Sequence, residues 1–402
     1  MPQKLLVLRN CGIIDPQDIA SYLARGGFEA LRRVQSGLTP AQVIDEVKRS
    51  GLRGRGGGGF PTGLKWEEAA RSPGLTKYVV CNAAEGEVGA FKDRYILEKD
   101  PFTLMEGMAI AAYAVGAAKA YLYLRAEYAH LVPALVGAVA QVSERGFFGI
   151  VGDGFGVEVR VGSGGYVCGE ETALMESLEG RRGEPRMRPP YPPSEGLLGS
   201  PTVINNVETL MNVPWILSNG ADAFCRLGTA QSRGTKVFSV SGDVERPGVY
   251  ELEMGSSLSE LVCGIAGARD VKSVQVGGAS GRLVPGDRLD APLSYEGLCG
   301  AGPVIVFDST RDMVDIMYRT MEFFAEESCG KCTPCREGTQ AMMETLGRIT
   351  AGRGERRDLK ALEQLSATMM LTSSCGLGQA APVPVLDSLR YFRHEYEARL
   401  VQ

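Results

Sequence analysis

At 402 residues the chain is long enough for two or three domains with cores of their own, without disulfide or metal staples. Forty-three Lys and Arg against 48 Asp and Glu give a net charge of −5 with no long run of either sign, which argues against duplex nucleic acid as a partner. Two histidines, His130 and His394, leave little room for a histidine triad or a multi-histidine metal site, and the 52 glycines, near twice the ordinary ~7%, follow no fibrous repeat.

The opening segment MPQKLLVLRN has Lys4 early and no apolar core with a small-residue cleavage site, so no signal peptide is expected and the chain is assigned to the cytoplasm. Residues 107–118 form the longest uncharged apolar stretch, a length that suits a buried helix rather than a membrane span, so no direct membrane insertion is expected. Helical spacing marks Ser21 to Val47 and Pro101 to Val142, while Lys77 to Cys81, Lys119 to Leu124 and Val157 to Val161 read as short strands. This alternation predicts a parallel α/β domain over 1–235. Over 236–308 short alternating runs with turn signals predict a small β-grasp-like (ubiquitin-like) domain. Over 309–402 apolar residues recur at helical spacing in four groups, Met313 to Phe324, Met342 to Ile349, Leu359 to Met369 and Val385 to Phe392, predicting a four-helix bundle.

Three glycine-bearing segments in the first domain carry the chemistry. Gly51 to Gly63, GLRGRGGGGFPTG, holds seven glycines and is followed by Lys65 and Trp66. Gly54, Gly56 and Gly59 spell G-x-G-x-x-G, but the preceding Pro40 to Ser50 reads as a helix, where a dinucleotide fingerprint needs a strand. What remains is a backbone nest with Arg55 and Lys65 as cations and Phe60 and Trp66 as stacking surfaces, suited to a phosphate or pyrophosphate; the alternative is a plain surface loop. Val161 to Thr172 follows a strand and precedes a helix, and its Glu170 and Glu171 either favour that helix's dipole or accept from ribose hydroxyls. Asn82 to Arg94 leaves the strand ending at Cys81, where an open α/β sheet places its ligand, and Asn205-Asn206 would form a further wall.

The run Cys329-Gly-Lys-Cys332-Thr-Pro-Cys335, with a remote Cys375, suits a four-iron four-sulfur cluster better than zinc, whose ligands usually come as two separated pairs. Both ligand groups fall between predicted helices, and the other six cysteines show no ligand spacing. A phosphate-bearing cofactor beside an iron–sulfur cluster is an electron-transfer arrangement.

On the motifs GRGGGGFPTGLKW, GEVGAFKDR, YVCGEETALMESLEG, PTVINNVET and ESCGKCTPCREGT, the chain resembles the flavoprotein, NADH-binding subunit of respiratory complex I and the related diaphorase subunits of NAD-linked hydrogenases and formate dehydrogenases. The resemblance runs from about Asn10 to Pro382. It implies a Rossmann-like FMN- and NADH-binding domain ahead of the β-grasp domain and the cluster-bearing bundle. It implies FMN held by Gly54, Arg55, Gly56, Gly57, Lys65, Asn82, Glu85, Tyr166, Gly169, Glu170, Asn205 and Asn206. NADH would use Phe60 and Tyr191 for its adenine, Glu87 beside the nicotinamide, Glu171 near the adenine-side ribose, and Arg188. Cys329, Cys332, Cys335 and Cys375 would ligate the 4Fe-4S cluster. No residue acts as catalytic acid or base, because the cofactor carries the hydride chemistry. A thioredoxin-like 2Fe-2S subunit and further iron–sulfur subunits are the implied partners. Three positions depart from the pattern: Ala84 replaces a usual aspartate, Val88 a usual proline, and Glu68 an aromatic of some members. Besides an NADH-oxidising or NAD+-reducing subunit, two other readings stand at this point: a non-catalytic assembly or electron-relay subunit, and a nucleotide-binding zinc protein.

Overall fold

The computed structural model describes residues 5–74 and 76–401. An N-terminal layer holds α1 (Ile19–Leu23), α2 (Glu29–Gly37), α3 (Pro40–Arg49) and α4 (Thr62–Arg71), so the expected run from Ser21 to Val47 is several pieces. Thr39 causes the last break: with Gln42 it forms a capping box, and Pro40 supplies the preset first turn of α3. Next come β1 (Tyr78–Ala83), α5 (Lys92–Lys99), α6 (Pro101–Val115), β2 (Lys119–Leu124), α7 (Val132–Glu144), β3 (Val157–Val161), α8 (Glu171–Leu178), β4 (Thr202–Asn206), α9 (Val207–Asn219) and α10 (Ala221–Cys225). Between Pro101 and Val142 two helices, α6 and α7, flank the expected strand Lys119–Leu124, which is β2. Asp100 caps α6 by accepting from Thr103 N at 3.1 Å, and Gly116 ends it at φ 73°, where a side chain would be strained. All residues of α6 except Tyr113 are buried, as its largely apolar sequence requires.

The first sheet has the order β3-β2-β1-β4, and every pairing is parallel. Strand β4 is absent from the expected strands, because PTVINN has only a short apolar run before its two asparagines. Both faces of the sheet are covered, which is why β1 reads Tyr-Val-Val-Cys rather than alternating. Val79, Cys81 and Ala83 pack among the N-terminal helices, whereas Val80, Tyr123 and Ile204 share an apolar cluster with α8 and the C-terminal helices.

The second sheet comprises β5 (Thr235–Gly242), β6 (Gly248–Glu253), β7 (Val271–Val276), β8 (Arg282–Pro285) and β9 (Pro303–Asp308), in the order β6-β5-β9-β7-β8. Only β5 and β9 pair in parallel; the other pairs are antiparallel. The C-terminal region is helical: α11 (Met313–Glu327), α12 (Thr333–Thr350), α13 (Arg356–Thr372), α14 (Gly376–Ala380), α15 (Val383–Tyr391) and α16 (Arg393–Glu397). The four longest match the four apolar groups of the sequence. Among the described residues no helix is long and apolar enough to cross a membrane.

Buried charges join these parts. The Glu251 carboxylate on β6 accepts from the backbone N–H groups of Leu6, Val7 and Leu8 at 2.8–3.1 Å, holding the N-terminal segment to the second sheet. Arg282 on β8 makes a two-point contact with Asp387 on α15, at 2.7 and 2.9 Å.

Candidate functional site

The parallel register sets Asn82 opposite Asn206 and Cys81 opposite Asn205, so the carboxyl ends of β1 and β4 present a short polar edge. A cavity of about 820 Å³ opens there, at the end of the sheet where open α/β folds bind ligands. The residues that the sequence nominated for FMN and NADH line it, Arg55 excepted.

The glycine-rich segment forms one wall. Gly54 donates to the Phe60 carbonyl at 2.9 Å, closing the loop, and Arg53 bridges to Pro61 before α4 starts. Gly59, at φ 62°, needs to lack a side chain twice over, since a Cβ there would lie 2.6 Å from the Tyr295 ring. Phe60 is exposed and faces the cavity. Two expectations about this segment are corrected. The Arg55 side chain is fully buried behind the loop, where it donates to the Arg233 carbonyl at 2.5 Å and faces Tyr295, so it is not a cavity cation. Trp66 is also fully buried and donates to Asn205 Oδ1 at 2.8 Å, which makes it a brace for that asparagine rather than a stacking surface.

Lys65, on α4, does reach the cavity, donating to Glu171 and to the Ile204 carbonyl at 3.0 Å. Glu170 serves in part the bland role open to it: one carboxylate oxygen caps α8 by accepting from Thr172 N and Ala173 N, both at 3.0 Å. Its other oxygen is buried without a hydrogen-bond partner among the described residues, with Arg188 Nη1 at 3.6 Å. An orphaned acceptor on a cavity wall fits a ligand that brings hydroxyl or N–H donors.

Beneath the cavity lies a charge network in which the sequence had assigned roles only to Glu85, Asn206 and Arg55. Lys92 Nζ donates to Asp93 at 2.7 Å and to Asn206 Oδ1 at 3.2 Å, and stands 2.9 Å from Glu208. Burial alone would depress the Lys92 ammonium, but Asp93, Glu208 and Glu85 overcome this and hold it above its ordinary range. Burial likewise opposes ionisation of Glu208, yet Lys236, Lys92 and Arg55 keep its carboxyl below the usual range. Glu85 is the contrary case: burial, reinforced by the negative charge of Asp93, pushes it up to about 7 against the opposing pull of Lys92 and the N–H groups of Asp93 and Arg94. Its φ of 21° is unusual for a side-chain-bearing residue and turns the chain at the cavity floor.

The second sheet also contributes, which the sequence did not reveal. The turn between β7 and β8 brings Ser280 to Glu87: Ser280 N and Oγ donate to its carboxylate at 3.2 and 2.8 Å, and Tyr166 Oη donates at 2.8 Å. Burial raises the Glu87 carboxyl, and these donors counteract it. Gly300 and Ala301, just before β9, line the cavity beside the glycine loop. Lys92 and Asp93 were legible as members of GEVGAFKDR, whereas no motif marks Ser280.

Of the departures noted in the sequence, Glu68 lines the cavity and Ala84 does not. Ala84 is buried in the apolar cluster with Val80, Val167 and Leu174.

Cys329, Cys332, Cys335 and Cys375 come from the α11–α12 connection, the first turn of α12 and the residue before α14. Burial pushes the Cys335 thiol up to about 11; Ser328 opposes this, and the charges of Cys332, Cys375 and Cys329 add to it. Burial also acts to raise Cys332, but hydrogen bonds from Ser374 and from its own helix start outweigh it and hold the thiol below its ordinary range. Among the described residues no three or more His, Cys, Asp or Glu side chains converge as ligands of a single ion. The x₂-spaced Cys329, Cys332 and Cys335 and the remote Cys375 meet in one apolar cluster, a ligand set that suits a four-iron four-sulfur cluster. Two ties fix their loop to the segment that follows α8: Arg182 donates to the Cys329 carbonyl at 2.6 Å, and Lys331 to the Pro185 carbonyl at 2.7 Å. Cys375 itself lines the cavity, with Leu377 and Ala380 of α14.

Comparison with known proteins agrees with this geometry. Residues 47–215 match the family described as the Nuo51 FMN-binding domain, and residues 315–399 match the NADH-ubiquinone oxidoreductase-F iron-sulfur binding region. The chain is 46% identical to the HndC subunit of the NADP-reducing hydrogenase of Solidesulfovibrio fructosivorans, over 99% of this chain and 84% of that protein. It is 45% identical to the NADH-quinone oxidoreductase F 2 subunit of Rhizobium meliloti, covering 98% of this chain and 97% of the relative. A solved chain of an NAD+-reducing nickel–iron hydrogenase in the H2-reduced state superposes with a TM-score of 0.89 at 44% identity, over 95% of this chain and 66% of the other.

Proposed function

This chain belongs to the family of NADH-quinone oxidoreductase F subunits and their relatives among NAD- and NADP-reducing hydrogenases, and from that premise we propose that it is an oxidoreductase subunit moving a hydride between NADH or NAD+ and FMN and single electrons onto a 4Fe-4S cluster. One observation carries the reading: Cys375 belongs to the four-thiol set and also lines the cavity, so one side chain borders both cofactor positions. When bound, FMN supplies the exchange between two-electron and one-electron chemistry, which no protein side chain provides.

The chain's residues bind and orient. Lys65 and Lys92 are the lysines that line the cavity, suited to phosphate oxygens, and the glycine loop lets backbone approach them closely. Asn82, Asn205 and Asn206, braced by Gly169, Trp66 and Asp93, present amides to the flavin. The free oxygen of Glu170 accepts from it, with Gly54, Gly56, Gly57, Glu85, Tyr166 and Gly169 completing the site. Phe60 and Tyr191, both exposed at the mouth, take the adenine, Arg188 assists there, Glu171 meets the adenine-side ribose, and Glu87 stands by the nicotinamide. Arg55 acts from behind, its carbonyl accepting from Lys236 at 3.0 Å, so it shapes the loop without contacting phosphate.

The unit boundaries 1–235, 236–308 and 309–402 are part of the proposal, with the second unit a β-grasp domain, supported by its strand order and a separate apolar cluster. So are a cytoplasmic location and partners comprising a thioredoxin-like 2Fe-2S subunit and further iron–sulfur subunits, since the relatives are named as subunits of larger enzymes. The test is an anaerobic titration of the purified chain with NADH after flavin extraction and iron analysis. Bleaching of the flavin band with ferricyanide turnover is expected; FMN and iron present but unreduced by NADH would favour an electron-relay subunit instead.

A further inference from the structure

The most enclosed part of the thiol set is Cys335, and it is there that two serines from different loops meet. Ser328, the last residue before the Cys329–Cys332 loop, has its Oγ 3.3 Å from Cys335 Sγ. The same Oγ accepts from Gly330 N at 3.3 Å. A hydroxyl that accepts from an amide keeps its own hydrogen to give, and a metal-bound thiolate has none to offer, so the bond runs from Ser328 to the sulfur. The Ser373 hydroxyl, from the Cys375 loop, is buried and without a partner among the described residues. It converges on the same place: a Cβ built on Gly378 would lie 2.6 Å from Ser373 Oγ and 2.8 Å from Cys335 Cβ. Hydrogen bonds to cluster sulfurs stabilise the more negative, reduced state, and do so most where water is excluded.

We propose that Ser328 is a positioning residue that donates to the Cys335 thiolate and raises the reduction potential of the cluster, with Ser373 supplying a second donor at the same buried corner. This rests on the 4Fe-4S reading given above. Neither serine touches the flavin cavity, so their effect is confined to the acceptor end of the transfer.

The test is an EPR-monitored redox titration of the holoprotein, wild type beside Ser328→Ala and Ser328→Thr, with iron and acid-labile sulfide measured first. Lack of iron and sulfide in the wild type would refute the cluster and this inference together. With the cluster present, the Ala variant is expected to titrate at a lower potential while the Thr variant, which keeps the hydroxyl, stays near wild type. An unchanged potential in Ser328→Ala, or an equal fall in both variants, overturns the inference and leaves the cluster reading standing. Should Ser328→Ala fail to load iron, Ser328→Thr and the wild type decide by hyperfine spectroscopy after exchange into D2O. An exchangeable proton coupled to the reduced cluster and retained in the Thr variant is expected, and its absence from both overturns the donor.

Discussion

At the scale of single residues, the cavity sets lysines beside buried carboxylates, and burial raises Glu85 and Glu87. Lys65 is tied to Glu171 and to a strand-end carbonyl, which aims it without neutralising the pocket. A charge-assisted hydrogen bond is worth about 1.5–3 kcal/mol, so Lys65→Ala is expected to weaken FMN retention roughly tenfold or more. Full flavin occupancy after gel filtration would transfer that role to the glycine loop and Lys92. With Glu171 at the adenine-side ribose, as proposed, its carboxylate would repel a 2′-phosphate, so Glu171→Gln should raise the kcat/KM ratio of NADPH to NADH; an unmoved ratio would take it out of nucleotide selection. Glu85 carries a pH signature. Its carboxyl titrates near 7 when folded against an ordinary 4.5, so the native state holds the proton more tightly, and stability falls as pH rises between those values. Melting temperatures from pH 5 to 8 should therefore decline more steeply in the wild type than in Glu85→Gln, and parallel curves would contradict the assignment.

At the scale of elements, what matters is which turn reaches which wall. The β7–β8 turn belongs to the second sheet, yet it holds Glu87 through Ser280 and leaves no room beside it. Gly278 has φ 79°, and a Cβ there would lie 2.2 Å from Glu87 Cγ. Gly278→Ala is therefore expected to displace Glu87 and lower kcat with NADH by about tenfold, as misplacement of a contact residue commonly does, while flavin content is kept. Unchanged turnover would show that Glu87 position is irrelevant to the nicotinamide. Ser280→Ala should act in the same direction more mildly, since Tyr166 still donates to the carboxylate. Elements also explain what was misread. Strand β4 is hidden because its last two residues are cavity-lining asparagines, a residue type depleted in strands.

For the whole molecule, the decisive arrangement is that the helical region packs on one face of the parallel sheet and so brings Cys375 to the edge of the cavity. Val80, Tyr123 and Ile204 of the sheet share their apolar cluster with Cys335, Cys375 and the core of α11 to α13. Cys375→Ser should thus separate the two halves of the reaction: FMN still bound and still reduced by NADH, but little iron and little electron flow to the native acceptors. Equal iron content and equal flow would remove Cys375 from the ligand set. The chemistry was already legible in the order of amino acids. The glycine run, the paired glutamates, the asparagine pair and the x₂-spaced cysteines each name a donor set within a few residues, and local spacing is enough to read them. Which of those side chains share one space was settled by three-dimensional packing alone. It turned Arg55 and Trp66 into the core, moved Ala84 off the cavity wall, and brought Ser280 and Cys375 to it from elsewhere in the chain. The physical reason is that the direction of a side chain at a loop, and contact between residues nearly 200 positions apart such as Glu87 and Ser280, follow from the packing of both sheets and the bundle, which no local pattern encodes.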